Sequence, residues 1–96
     1  MDIGIQYFGS VRAAAKKSEE KLEFAADTTI YDLLRQLTAL HEENFRGEIY
    51  DIDGKKLRDD LTVALNGTII NHSNAADIKL QANDVLSLFP IFPGGG

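Results

Sequence analysis

The sequence predicts an α+β domain, a mixed sheet of four to five strands with one main helix packed on one face. Three observations lead there. Apolar residues alternate near the start of the chain, and an apolar run follows near its end. Between them lies one long run with apolar residues at helical spacing. An Asn66-Gly67 pair separates two further apolar stretches, a strong hairpin signal. At 96 residues the chain amounts to one domain. A chain of that size buries roughly 60–65 % of its unfolded surface in a single core.

Taken in order, Ile3, Ile5 and Tyr7 alternate with Gly4, Gln6 and Phe8, which predicts a first strand with a defined core face. Ser10 is placed to cap a short helical turn over Val11–Ala15, with Lys16 and Lys17 at its negative end. Leu22 and Phe24 alternate with Glu23 and Ala25 in a second strand, so the first two strands are expected to pair as a hairpin. Thr29, with Asp32 three residues on, marks a helix start. Ile30, Leu33, Leu34, Leu37 and Leu40 then fall on one face, predicting a helix from Ile30 to about His41. His41 at its end is expected to interact with the helix dipole.

From Glu42 to Asp60 the sequence is polar and reads as irregular, with a short edge strand at Ile49, Tyr50 and Ile52 and a turn at Asp53-Gly54. Asp51-x-Asp53-Gly54 lacks the remaining ligands of a calcium loop and is rejected as one. Thr62–Leu65 and Thr68–Ile70 flank the Asn66-Gly67 turn as two strands. His72–Asp77 reads as a loop with His72 solvated, and Asn83-Asp84 as a turn. Val85–Phe89 is nearly continuous in apolar character, predicting a last strand buried on both faces and ended by Pro90. If that strand is central it lies beside the first. The expected core includes Ile5, Leu33, Leu37, Leu65, Val85 and Leu88. Residues 1–90 form the domain and residues 91–96 a glycine tail, with Phe92 to Gly96 expected to be poorly ordered in the free protein.

Composition removes many functions. With no cysteine there are no disulfides, thiolate nucleophiles or iron–sulfur clusters. His41 and His72 have no acidic or thiol neighbours at ligand spacing, so no metal site is expected. A net charge of −5 argues against nucleic acid and suits either plain solubility or an encounter with a basic protein partner. No apolar run nears the about 18–20 residues of a membrane span, and Met1-Asp2-Ile3 is unlike a secretory signal, so a cytoplasmic protein is expected. The acid pairs Glu19-Glu20, Glu42-Glu43 and Asp59-Asp60 read as solvated surface.

The feature with chemical potential is the tail. Three successive glycines at a given site arise by chance in about one chain in three thousand. Here Gly94-Gly95-Gly96 follows the stiffer Pro90-Ile91-Phe92-Pro93. Glycine permits close backbone approach, as a narrow channel in a partner requires.

The chain resembles the MoaD/ThiS family of ubiquitin-like sulfur carriers, and within it the molybdopterin synthase small subunits. The matching stretches are Tyr7-Phe8-Gly9-Ser10-Val11-Arg12, Thr29–Leu34, Asp53-Gly54 with Leu57-Arg58, Val63–Gly67, Asn83-Asp84-Val85, and Phe89-Pro90 ahead of the glycines. The resemblance implies a β-grasp fold and a reaction at the main-chain terminus, with no cofactor bound by the chain itself. An ATP-dependent ubiquitin-activating-like adenylyltransferase would adenylate Gly96, or Gly95 if Gly96 is removed, and the carboxylate would become a thiocarboxylate. Gly94 and Gly95 would thread into the large catalytic subunit of molybdopterin synthase. Phe89, Pro90, Ile91 and Phe92 would meet the partner, although a core role for Phe89 is equally open. The chain itself would be a non-catalytic sulfur donor. Carriers for thiamine or tRNA thiolation and ubiquitin-like modifiers of lysine are the alternatives within the same resemblance. The chain departs from the family pattern at Ile91, where a second proline is usual, in its third glycine, and at Ala82-Asn83-Asp84. Asn83 is expected to adopt the left-handed conformation that the family's glycine supplies.

Overall fold

The computed structural model describes residues 1–91, so the expected disorder of Phe92 to Gly96 lies outside the described residues. Five strands form one sheet: β1 (Asp2–Tyr7), β2 (Glu19–Glu23), β3 (Leu61–Leu65), β4 (Thr68–Ile69) and β5 (Val85–Pro90), in the order β2-β1-β5-β3-β4. The β1–β2 and β3–β4 pairs are antiparallel hairpins. β5 runs parallel to β1 and antiparallel to β3, which makes it the central strand. Helices α1 (Gly9–Ala15), α2 (Ile30–Leu40) and α3 (Glu43–Ile49) complete a β-grasp fold.

The capping signal read at Thr29 is fully formed. The Asp32 amide donates to Thr29 Oγ1 at 3.1 Å, and the Thr29 amide donates to Asp32 Oδ2 at 3.3 Å. Ile30, Leu33, Leu34 and Leu37 are fully buried and join Ile3, Ile5, Tyr7, Leu86 and Leu88 in the core. Leu40 is not part of that face: α2 ends there, and its side chain is 67 % exposed. The Asn66-Gly67 turn has positive φ at both residues, 50° and 86°, as a two-residue hairpin of the primed type requires. Asn83 takes a φ of 70°, the left-handed conformation expected of it.

Several expectations are overturned. Ser10 does not cap α1. The N-cap is Phe8, and Ser10 lies inside the helix with its hydroxyl donating to Glu48 Oε2 at 3.2 Å. The stretch after Glu42 is not irregular but helical, because Phe45 and Ile49 stand four apart and both enter the core. Ile49 and Tyr50 are therefore core residues rather than parts of an edge strand, with Tyr50 forming only a single bridge to Leu57. Ile52 projects into solvent at the turn. His72 is half-buried in a 3₁₀ turn (His72–Asn74), its Nε2–H donating to the Leu61 carbonyl at 2.7 Å.

β5 is buried on one face only. Leu86 and Leu88 are in the core while Val85, Ser87 and Phe89 alternate to the other, half-covered face. Val85 is accordingly only partly buried, while Leu65, opposite Leu86 at the end of β3, packs partly buried against the core. Helices cover a single side of the sheet, so a central strand here alternates instead of reading as an unbroken buried run.

His41, expected to meet the helix dipole, is the C-cap of α2 and pairs with Glu20. Its Nε2 lies 2.8 Å from Glu20 Oε2, and its ring packs against Phe45 with centroids 4.4 Å apart. An ionised carboxylate only accepts, so Nε2 carries the proton in this bond. The Tyr7 hydroxyl donates to the same carboxylate oxygen. Glu20 thus leaves the class of solvated acids. Burial raises its pKa, but hydrogen bonds from Tyr7 and His41 outweigh that and hold it below the ordinary value of 4.5. Burial and the Glu20 contact push the Tyr7 hydroxyl well above the usual phenol range, so it stays a donor.

A carboxyl whose pKa is lowered on folding stabilises above its unfolded pKa, and that contribution is lost as pH falls through the folded value. Melting temperature should therefore drop more steeply below about pH 4.5 in the parent than in Glu20→Gln. Parallel melting curves for the two proteins over that range would contradict the assignment.

Candidate functional site

The site is built around the strand that leads into the glycine tail. In the β3–β5 ladder, Ala64 stands opposite Ser87, Thr62 opposite Phe89 and Leu61 opposite Pro90. The ladder continues past the strand: the Ile91 amide donates to the Asp60 carbonyl at 2.7 Å. Pro90 therefore does not end the pairing. Hydrogen-bonded and non-hydrogen-bonded pairs alternate in an antiparallel ladder, and with Ile91 bonded, Pro90 falls on a non-bonded position. Its missing N–H points away from β3, toward the side where β1 has already ended at Tyr7.

Asp60, which holds Ile91 through its carbonyl, is itself held. Arg58 donates from Nε and Nη2 to the two Asp60 carboxylate oxygens, both at 2.8 Å, and from Nη1 to the Gly47 carbonyl at 3.2 Å. This fork-on-fork pair keeps the Asp60 carboxyl below its ordinary pKa and raises that of Arg58. Both side chains are about half exposed, so the pair orients the backbone more than it stabilises the fold. The root of the tail is thus tied through Asp60 and Arg58 to α3.

On the sheet face opposite the helices, Phe8 and Phe89 meet edge to face with centroids 6.0 Å apart and planes at 89°. With Ala64, Ile69, Ser87 and Pro90 they line an apolar groove of about 620 Å³ running up to the root of the tail. Phe8 is 44 % exposed and Ile69 68 %. The chain thus leaves aromatic and aliphatic surface uncovered where the glycine segment begins.

Of the residues expected to meet a partner, Phe89 stands on this open face rather than in the core, Pro90 lines the groove, and Ile91 is half exposed beside it. Phe92, Gly94, Gly95 and Gly96 lie outside the described residues. Sequence reasoning missed Phe8 and Ile69. The signal at Phe8 was present, because an aromatic residue on the outward parity of a strand is not explained by the core. No catalytic side-chain pair adjoins the groove among the described residues. What this arrangement offers is an apolar platform beside the strand that leads into the glycine segment.

No helix among the described residues is long and apolar enough to cross a membrane. No curated protein sequence matches the chain significantly. Solved structures do. SAMP1 from Haloferax volcanii superposes with a TM-score of 0.82 at 24 % identity, over 99 % of this chain and 100 % of that one. A putative molybdopterin converting factor subunit 1 from Pyrococcus furiosus does so with a TM-score of 0.74 at 26 % identity, over 96 % and 99 %. A complex of subunits 1 and 2 of the molybdopterin-converting factor from Helicobacter pylori matches with a TM-score of 0.61 at 20 % identity, over 99 % and 100 %. The sequence profile of the ThiS family matches residues 5–95, nearly the whole chain. The protein belongs to the ThiS family of ubiquitin-like sulfur carriers.

Proposed function

We propose that this chain is the sulfur-donating small subunit of a molybdopterin synthase, carrying sulfur as a thiocarboxylate on Gly96, or on Gly95 where Gly96 is removed. The observation that supports this most is the course of β5, a central strand whose end is gripped by Asp60 beside an uncovered apolar groove. The full-length likeness to the Pyrococcus furiosus putative converting-factor subunit supports the molybdopterin pathway, and the likeness to SAMP1 keeps the modifier reading as its alternative. The Helicobacter pylori complex of subunits 1 and 2 supports a second subunit as the partner for the groove.

The chemistry belongs to the main chain. An oxygen of the terminal carboxylate attacks the α-phosphorus of ATP in an activating adenylyltransferase, and pyrophosphate leaves. Sulfur at the hydrosulfide level, delivered by a donor, then attacks the acyl carbon and AMP leaves, so a C–S bond replaces the C–O bond. The product is an anionic thiocarboxylate that needs no cysteine, consistent with a chain that has none. Within the large subunit the sulfur attacks a pterin precursor, and water then cleaves the acyl C–S bond, leaving the sulfur on the pterin and restoring the carboxylate. This chain's share is recognition through Phe8, Phe89 and Ile69 and reach through the glycines.

The test is intact-mass analysis after incubation with the cognate activating enzyme, ATP and a sulfur donor. A mass gain equal to one oxygen replaced by sulfur is expected. Lysine-linked adducts on other proteins, without that gain, would favour the modifier reading instead. Phe8→Asp should keep the parent melting temperature within a few degrees, since Phe8 is part-exposed and outside the core. It should weaken binding to the second subunit at least about tenfold, as loss of a central aromatic contact does. Unchanged binding to that subunit would remove the groove from the interface.

A further inference from the structure

A second cavity lies between α2, the end of α3 and the turn at Gly54. It has a volume of about 210 Å³ and is lined by Arg35, Thr38 and Ala39 of α2, by Arg46 and Tyr50 at the end of α3, and by Gly54. The lining contains two guanidinium groups and no carboxylate. In a chain with 15 acids against 10 bases, neither arginine forms an ion pair among the described residues.

Arg35 donates from Nη1 to the Tyr31 hydroxyl at 3.2 Å and lies over that ring at 5.7 Å. Arg46 rests on Gly54, where a side chain's Cβ would come within 2.8 Å of Nη2 and where φ is +69°. The positive φ at position 54 favours glycine, and the absence of a Cβ leaves the Arg46 guanidinium room to lie there.

The third observation is a hydroxyl. Tyr50 is only 4 % exposed, and its oxygen is the one buried side-chain polar atom without a hydrogen-bond partner among the described residues. Buried hydroxyls are nearly always satisfied, because leaving one unpaired forfeits its hydration with no return. Burial raises the Tyr50 pKa and outweighs the opposing pull of Arg35 and Arg46, so the hydroxyl keeps its proton as a donor.

We propose that the cavity between α2 and α3 is a binding site for a single phosphate group, held by Arg35 and Arg46 with the Tyr50 hydroxyl as a further donor. A tetrahedral dianion can accept from two guanidinium forks and a hydroxyl together, whereas one carboxylate is saturated by a single fork. The adjoining groove shares Arg46, Tyr50 and Gly54 but carries Glu43, Asp51 and Asp53. Those acids repel a polyphosphate or a nucleic-acid backbone and leave one phosphate, free or as a monoester, as the ligand. The site is independent of the glycine tail and of the function proposed for it.

Titration of the full chain with inorganic phosphate, followed by ¹H–¹⁵N correlation spectra at constant ionic strength, tests this directly. Saturable shifts are expected at the amides of Thr38, Arg46 and Gly54, and chloride should not reproduce them. Arg35→Gln and Arg46→Gln should each weaken binding about tenfold or more, the loss expected for a charge-assisted hydrogen bond. A parallel titration with glycerol 3-phosphate separates the sources: tighter binding marks a monoester site, and its exclusion marks free phosphate. Tyr50→Phe removes the hydroxyl alone. Without phosphate it should melt no lower than the parent, and phosphate should raise its melting temperature less. Non-saturating shifts with both ligands, or parent-like affinity in both arginine variants, would overturn the proposal. So would a phosphate-free Tyr50→Phe protein that melts well below the parent, since the hydroxyl would then have had a partner within the fold.

Discussion

Deletion of Gly95 and Gly96 is expected to abolish sulfur loading while leaving the melting temperature almost unchanged. The two residues have no side chains to bury, so the core around Leu86 and Leu88 does not depend on them. The carboxylate of the shortened chain would stop ~6–7 Å short of its former position. In an active site that must align an acyl carbon within bonding distance, such a displacement removes catalysis altogether. ATP–pyrophosphate exchange with the cognate activating enzyme reads the first step, and intact mass reads the second. Deleting Gly96 alone distinguishes the working residue: retained loading assigns it to Gly95, lost loading to Gly96. Full activity without both glycines would end the sulfur-carrier reading of this terminus.

The largest effect on stability is expected from Leu37→Ala, at about 2–5 kcal/mol. Leu37 is fully buried among α2 and the sheet residues, and truncation leaves a cavity that the surrounding side chains fill only in part. Each kcal/mol lost should lower the melting temperature by about 4–8 °C in a domain of this size. Leu40→Ala is the matched control. It carries the same side chain one turn further along the same run, yet it is mostly exposed and should cost little. Thermal melts that place the two variants together would mean that the end of α2 has been misread.

The contrast between these leucines illustrates how far a pattern carries. Helical spacing identifies a face, and Thr29 with Asp32 identifies where it starts, because capping is local hydrogen-bond chemistry. Where the face stops being covered depends on what packs over it, and at Leu40 nothing in the neighbouring sequence says so. α3 was illegible for a related reason. Only Phe45 and Ile49 face the core, and seven residues with one apolar pair fall below what periodicity resolves.

At the candidate site the division is similar. The glycine tail was legible because its composition is improbable and its chemistry needs no neighbours. Phe89 and Pro90 were singled out by their place before it, but their environment was not foreseeable. Whether Phe89 faces core or solvent is set by the parity of β5 against β3, which a near-continuous apolar run conceals. Phe8 and Ile69 join Phe89 only because β1 and β3–β4 flank the last strand.

The sequence by itself determined the α+β class, the first hairpin, the capped helix, the Asn66-Gly67 turn and the terminal glycines. Each is specified by residues close together in the chain, through periodicity, capping or positive φ. Tertiary structure alone decided the rest. It set the pairing of Glu20 with Tyr7 and His41, the grip of Asp60 on Ile91, the apolar groove, and the cavity between Arg35, Arg46 and Tyr50. These join residues from different elements, and local pattern holds no record of which distant side chains packing will bring together.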